Sequence, residues 1–147
     1  KLQREWIRMR LSNPLTTCLI LRRESASKPT DPVLGMLDSW TDNRARVAHV
    51  TTFGMSLHPS IQGRGLGKAL LGKFIQWISV HPVIEKIELH VHADNSKALA
   101  LYEKMGFERE GCRQGAIRYE DGRIIDDIIM ALWPKAAQPN TEAAQPK

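Results

Sequence analysis

Long apolar runs are absent from this sequence, and cysteine is scarce. No stretch of 18 apolar residues occurs, so the sequence offers no candidate transmembrane helix. It also opens without the pattern of a signal peptide, and we therefore expect a soluble, cytoplasmic protein. The two cysteines, Cys18 and Cys112, cannot build a disulfide framework and form no C-x-x-C pair, so we expect ordinary buried or half-buried side chains.

Aromatic residues make up only 6% of the chain, which argues against a surface that stacks nucleic-acid bases. The 21 Lys and Arg residues outnumber the 16 Asp and Glu residues, which gives a net charge of +5. The basic residues are scattered among the acidic ones. A modest positive field suits a small, phosphate-rich ligand equally well. We therefore expect neither nucleic acid nor membrane as a partner.

The apolar periodicity predicts a single α/β domain over residues 1–134. A helix is expected within residues 2–9, and the remaining pattern gives three strands, a helix, a strand, a helix and two strands. These strands are predicted at 15–23, 33–40, 47–59, 85–93, 111–120 and 124–133, and the helices at 65–79 and 96–105. Residues 135–147 lack apolar periodicity, which predicts a flexible tail.

Short polar and glycine signals mark the ends of several elements. The run 94–96 supplies a helix N-cap, and Gly106 is placed to end that helix. The pair Asp121 and Gly122 predicts a tight turn between the last two strands.

The segment QGRGLGK, residues 62–68, places three glycines between a predicted strand and a predicted helix. A Walker A loop would need a glycine at position 62 and a hydroxyl residue at position 69, where the chain has Gln62 and Ala69. The dinucleotide fingerprint G-x-G-x-x-G also fails, because its third glycine would fall on Lys68 or Leu70.

An anion site at the start of the helix is the remaining interpretation of this segment. The first N–H groups of a helix have no intrahelical partner and lie at the positive end of the helix dipole. Gly63, Gly65 and Gly67 would leave that backbone accessible. Arg64 and Lys68 would add positive charge, which a turn needed only for packing does not explain. The segment therefore predicts a site of pyrophosphate size.

Three segments together resemble the GNAT superfamily of N-acetyltransferases. Gln62-x-x-Gly65-x-Gly67 after FGMSLHP is similar to its coenzyme A motif, and ADNSKALALYEKMGFEREG resembles its second hallmark segment. RYEDGRIIDDIIMAL resembles the closing hairpin of a branch that acetylates ribosomal-protein N-termini, amino acids or small amines. The resemblance covers about residues 1–133. It implies a mixed, mostly antiparallel twisted sheet, flanked by helices, whose central strands splay apart.

The resemblance also implies which residues bind acetyl-CoA, the co-substrate. Backbone amides of residues 62–68 would hold the pyrophosphate, the strand edge at 55–57 would pair with the pantetheine arm, and Asn95 would contact that arm from the other side. The implied residues are Met55, Ser56, Leu57, Gln62, Gly63, Arg64, Gly65, Leu66, Gly67, Lys68 and Asn95. No metal is expected, because His90 and His92 lack a third ligand at suitable spacing.

Tyr102 and His90 are the catalytic candidates. Acetylation of an amine requires proton removal from an ammonium group of pKa about 10.4. It also requires a proton for the leaving thiolate. The resemblance implies that Tyr102 is the general acid, although its spacing from Ala98 and Met105 also fits an apolar helix stripe. His90 stands where N-terminal acetylating members of the family often have a glutamate. We predict that His90 is the general base, with Glu88 as the second choice. A polar strand face without a catalytic role remains an equally open interpretation.

Three functions remain open at this point. Direct acetyl transfer to a small-molecule or amino-acid amine is favoured over acetylation of a protein N-terminus and over a non-catalytic coenzyme A-binding domain. The chain begins on what resembles the family's second helical segment, so we expect a fragment that lacks the first strand and helix. The resulting sheet edge would allow a homodimer. Asp126 and Asp127 are interpreted as solvated hairpin residues rather than as an amine-attracting pair.

Overall fold

The structure, a computed structural model, describes residues 13–23 and 32–135. The helix expected within residues 2–9, and all but the first residue of the expected tail 135–147, lie outside these ranges. The strands and helices of the described part are β1 (Cys18–Leu21), β2 (Gly35–Thr41), β3 (Val50–Leu57), α1 (Leu66–Ser79), β4 (Lys86–His92), α2 (Ser96–Lys104), β5 (Glu108–Arg118) and β6 (Ile124–Leu132). Each lies where the apolar pattern predicted it.

The six strands form one sheet in the order β1-β2-β3-β4-β6-β5. All neighbouring strands are antiparallel except β3 and β4, which run parallel because α1 connects them. The expected mixed, mostly antiparallel sheet is therefore confirmed.

The pairing of β3 with β4 is short. It extends only from Val50 opposite Lys86 to Thr52 opposite Glu88, whereas β2 accompanies β3 to its last residue, Leu57. The second half of β3 consequently has no strand partner on its β4 side. This is the expected splay of the central strands.

Both helices pack against one face of the sheet. From α1, Leu71, Phe74 and Ile78 are completely buried. They meet the alternate sheet residues that point the same way, which include Leu37, Phe53, Ile87, Leu89 and Met130. Neither described helix has the length and apolar character needed to cross a membrane.

The opposite face of the sheet is open in the described part of the chain. Ile20, Met36 and Trp40 expose 42–50% of their surface there.

The predicted signals at the ends of elements are confirmed. Asn95 Oδ1 accepts a hydrogen bond from Ala98 N–H at 3.1 Å, which caps α2. Gly106, with φ of 95°, follows the end of that helix, and Gly122, with φ of 87°, lies in the turn between β5 and β6. Left-handed φ values of this kind favour glycine.

Substitution of Phe74 by alanine tests the core. Phe74 is completely buried and its ring lies 5.4 Å from that of Phe53. We expect Phe74→Ala to lower the free energy of unfolding by about 3–5 kcal/mol. Val80→Ala, at a position 80% exposed just after α1, should change it by less than about 0.5 kcal/mol. Urea denaturation measures both, and equal effects would contradict this description of the core.

Candidate active site

A cleft of about 420 Å³ opens where β3 and β4 diverge, between the start of α1 and the helix α2. Nine of the predicted site residues line it: Met55, Leu57, Gln62, Gly63, Gly65, Gly67, Lys68, Asn95 and Tyr102. Lys97, Ala98 and Leu101 line it as well and were not predicted. Their signal was present in the sequence, because they belong to the same helix as Tyr102 and lie within two turns of it.

The start of α1 presents its backbone N–H groups to this cleft. The first intrahelical bond runs from Ala69 N–H to the Gly65 carbonyl at 3.1 Å, so the N–H groups of the first turn have no intrahelical acceptor. Gly65 is the N-cap residue and offers no side chain to satisfy them. Because that turn contains no acidic residue and includes Lys68, it attracts anions.

The glycines of this segment serve two purposes. Gly63 and Gly65 adopt left-handed φ values of 73° and 75°, and a Cβ on either would meet nothing within 4 Å, so both border open space. Gly67 is different, because a Cβ there would lie 3.2 Å from Leu57 Cδ1 and 3.6 Å from Met55 Cε. Gly67 therefore lets α1 approach β3 closely.

Only alternate residues of β3 turn their backbone toward the cleft. His58 N–H donates to the Leu34 carbonyl on the β2 side at 2.7 Å. In an antiparallel ladder the backbone N–H and C=O groups of successive residues point alternately to one neighbouring strand and to the other. Ser56 therefore points its backbone at β2, whereas Met55 and Leu57 point theirs into the gap. The Leu57 carbonyl already accepts a bond from Gln62 Nε2 at 3.0 Å.

Three of the predicted cofactor-binding residues are absent from the wall of the cleft. Ser56 and Arg64 are exposed and Leu66 is half-buried. For Ser56 the reason is the alternation of the strand, which directs its side chain to the opposite face. The prediction had taken a continuous run of residues and did not separate the two faces.

Tyr102 lies on the cleft side of α2 and is partly covered by aromatic rings. Its ring contacts Phe53 edge-on at a centroid distance of 6.1 Å and Phe107 at 5.8 Å. Burial raises the pKa of the Tyr102 phenol above its ordinary value. A phenol already carries its proton at neutral pH at its ordinary pKa of about 10, and burial keeps it so, which leaves the hydroxyl as a proton donor.

A second cavity, of about 370 Å³, lies on the open face of the sheet. It is lined by Trp40, Thr52, Phe53, His90, His92, Arg113, Ile117 and Asp127. Phe53 belongs to this wall, and its ring also contacts Tyr102 in the cleft, so the two cavities are neighbours across one residue. His90, the predicted base, lies here and not in the cleft.

Asp127 holds two of the polar side chains in this cavity. Its Oδ2 atom lies 2.7 Å from His90 Nδ1 and 3.2 Å from Arg113 Nη1. The Asp127 side chain is only 4% exposed, which corrects the expectation of a solvated residue. The strand pairing explains this burial, because Asp127 lies within β6 and is paired with His92 of β4 rather than placed in the exposed turn of the hairpin. Asp126 is half-buried and accepts a bond from Gly115 N–H at 2.8 Å.

His92 belongs to a separate hydrogen-bonded chain at the rim of the cavity. Its Nδ1 atom lies 2.8 Å from the Tyr119 hydroxyl, which donates to Asp94 Oδ1 at 2.9 Å. This chain ties the hairpin of β5 and β6 to the loop that precedes Asn95.

Glu88, the second candidate base, does not line the cavity that contains His90. It borders an adjacent cavity of about 310 Å³, together with Trp40 and Asp42. Its Oε2 atom lies 3.7 Å from Lys86 Nζ, which also bonds Glu110 at 2.6 Å.

Within the described ranges, no cluster of three or more His, Cys, Asp or Glu residues is arranged to hold a metal ion. Cys18 and Cys112 are exposed, which corrects the expectation of buried or half-buried thiols. Both lie on outer strands of the sheet, β1 and β5, where few residues cover them.

A sheet that opens between two parallel strands, with a helix N-terminus facing the opening, defines the acetyltransferase class that the sequence resembles. A model of the Acetyltransferase (GNAT) family matches residues 2–107, and the chain belongs to this family.

Individual relatives differ in the acceptors that their names specify. The chain is 34% identical to the L-amino acid N-acetyltransferase AaaT of Escherichia coli (strain K12), over 67% of this chain and 60% of that protein. It is 35% identical to the [Ribosomal protein bS18]-alanine N-acetyltransferase of the same strain, over 67% of this chain and 65% of that protein. The matched segment thus spans less than two thirds of each curated relative.

A solved structure supports the same family at the level of the fold. The crystal structure of the ribosomal-protein-S18-alanine N-acetyltransferase from Escherichia coli superposes with a TM-score of 0.72 at 27% identity. The superposition covers 92% of this chain and 80% of that one.

Titration of Tyr102 tests the burial of its phenol. The chain has two tyrosines, so in Tyr119→Phe the remaining ultraviolet phenol signal belongs to Tyr102. We expect it to ionise above about pH 10 in the folded protein and near 10 in urea. Because the folded state disfavours the phenolate, the free energy of unfolding should fall as pH rises above about 10. A midpoint at or below the urea value would contradict the burial.

Proposed function

We propose that this protein is an acetyl-CoA-dependent N-acetyltransferase that acts by direct transfer on the amine of a small molecule, with free α-amino acids favoured. The observation that carries this proposal is the pair of neighbouring cavities. One contains the anion-attracting start of α1, the other contains His90 and Arg113, and Phe53 lies between them.

The cleft has the features that an acetyl-CoA site needs. The N–H groups at the start of α1 suit a diphosphate, and the glycines there leave room for it. The backbone groups of Met55 and Leu57, which face the gap, suit an amide-containing arm that adds to the sheet like a strand. Asn95 and Tyr102 line the opposite wall.

The chemistry then requires one proton acceptor and one proton donor. Acetyl-CoA supplies the acetyl group as a thioester, which the amine attacks. His90 accepts the proton that the nitrogen gives up as its bond to the acetyl carbon forms. Tyr102, whose raised pKa keeps it protonated, donates a proton to the sulfur as the carbon–sulfur bond breaks.

The acceptor cavity favours a substrate that carries a carboxylate close to its amine. Arg113 exposes 60% of its side chain there while Asp127 holds one of its nitrogens. Since His90 and Arg113 bond the same Asp127 oxygen, the two side chains are neighbours in this cavity. An α-amino acid carries its amine and carboxylate on one carbon, which suits a base and a cation that lie side by side.

Acetylation of a protein N-terminus is the second candidate. It is supported by the relatives named for ribosomal-protein alanine acetylation. A peptide N-terminus lacks the α-carboxylate, however, and would leave Arg113 without that partner.

Binding of coenzyme A distinguishes the cleft from a turn that serves packing only. Gly65→Ala places a methyl group beside the exposed N–H groups and should weaken coenzyme A binding about 10-fold, roughly the loss of one charge-assisted hydrogen bond. Gly122→Ala is the matched control, because Gly122 also has a left-handed φ and open space around it but lies in the distant hairpin turn. Each variant should lose about 1–2 kcal/mol of stability.

Isothermal titration calorimetry with coenzyme A measures the affinities. Unchanged affinity in Gly65→Ala, or an equal loss in Gly122→Ala, would contradict a diphosphate site at the start of α1.

A pair of acceptors that differ only in the carboxylate tests Arg113. We expect L-leucine to be acetylated with a lower KM than 3-methylbutylamine. Arg113→Gln should raise the KM for L-leucine by about 10- to 100-fold, the value of a hydrogen bond between charged groups, and leave that of the amine unchanged. Thiol release in steady state provides the measurement. Preference for a peptide with N-terminal alanine over both would instead support the second candidate.

A further inference from the structure

We propose that Asp127 is a positioning residue that fixes the ring of His90 in the tautomer whose Nε2 atom accepts the proton of the substrate amine. This proposal rests on the proposed function, because it concerns the proton acceptor of that reaction. The sequence predicts that Asp127 is a solvated residue of the hairpin, whereas the structure buries its side chain.

The first argument is the direction of the hydrogen bond. A carboxylate accepts hydrogen bonds and cannot donate them, so the 2.7 Å contact between Asp127 Oδ2 and His90 Nδ1 requires the hydrogen on Nδ1. In the neutral ring the other nitrogen, Nε2, then carries a lone pair. The tautomer is thus assigned by the chemistry of the partner.

The second argument is the difference in burial between the two partners. The Asp127 side chain is 4% exposed, whereas that of His90 is 42% exposed and lines the acceptor cavity. The carboxylate is therefore held away from solvent, while the ring remains accessible to substrate. A buried charge interacts more strongly with its partner than an exposed one, because water screens it less.

The third argument is that Asp127 itself is fixed in place. It lies within β6, paired with β4 on one side and β5 on the other, and opposite Arg113 in the β5 ladder. Arg113 contributes a second bond to the same Oδ2 atom, and Oδ1 has no hydrogen-bond partner among the described residues. The described interactions of the carboxylate thus converge on the oxygen that holds His90.

His92 provides an internal reference in the same cavity. Its Nδ1 atom faces the Tyr119 hydroxyl, whose hydrogen is directed to Asp94. The hydroxyl oxygen therefore accepts from His92, and this ring has the same tautomer as His90 without any contribution from Asp127. A change confined to His90 would identify Asp127 as its cause.

The experiment combines imidazole nitrogen NMR with steady-state kinetics on Asp127→Leu, which removes the acceptor at nearly constant volume. The chain has five histidines, and His90→Gln identifies the signals of His90. Spectra are recorded well above pH 6.5, where free imidazole is neutral. We expect wild-type His90 to carry its hydrogen on Nδ1. In Asp127→Leu no atom of residue 127 accepts from Nδ1, so the hydrogen is no longer held there and should move to Nε2, while His92 is unchanged.

The kinetic expectation follows from the same change. With Nε2 protonated, the ring no longer accepts the amine proton, and kcat should fall on the order of 10²-fold, the lower end of the contribution of a general base. The KM for acetyl-CoA should stay within about two-fold, because Asp127 does not line the cleft. Asp126→Asn is the matched control: it removes the neighbouring charge but keeps an oxygen that can accept from Gly115 N–H, and it should alter neither the tautomer nor kcat.

Three outcomes would overturn the proposal. They are a hydrogen on Nε2 of His90 in the wild-type protein, an unchanged His90 tautomer in Asp127→Leu, or a kcat of Asp127→Leu equal to that of Asp126→Asn. The first needs no variant and decides the question even where Asp127→Leu does not fold. If wild type acetylates no amine, the proposed function fails, and the NMR result alone then supports or overturns the positioning role.

Discussion

The early end of the pairing between β3 and β4 is the constraint on which the site depends. After Thr52 the backbone groups of β3 that face β4 have no strand partner, although unpaired backbone groups are costly when they are shielded from water. Keeping them accessible requires a cleft. The start of α1 adjoins this gap because the connection from β3 is short and Gly67 allows the helix to lie close to Leu57. Strand edge and helix N-terminus thereby become two walls of one site.

The buried carboxylate of Asp127 organises the other half of the site. Burial of an ionised group is unfavourable unless charged or hydrogen-bonding partners compensate. His90 and Arg113 supply such partners, and both also line a cavity on the open face of the sheet. Two polar side chains of that cavity are therefore held by a residue that is itself almost inaccessible.

The cleft and the proposed acceptor cavity are built from different parts of the molecule. The cleft is formed by β3, α1 and α2, which lie within the residues that the family model matches. The proposed acceptor cavity is built largely from β4 and the hairpin of β5 and β6. It includes Trp40 and Arg113, neither of which belongs to a motif that the sequence displayed.

Local signals sufficed for much of this protein. Apolar periodicity located the described strands and helices, Asn95 and Gly106 marked the ends of α2, and Gly65 marked the start of α1, because each depends on residues only a few positions apart. Tertiary structure alone decided the rest. Asp127 meets His90 across 37 residues through the pairing of β4 with β6, and Ser56 leaves the cleft through strand alternation. Register between β4 and β6 sets the first, and composition and periodicity do not encode it. The second follows from alternation along β3 together with the face of the sheet on which the helices pack.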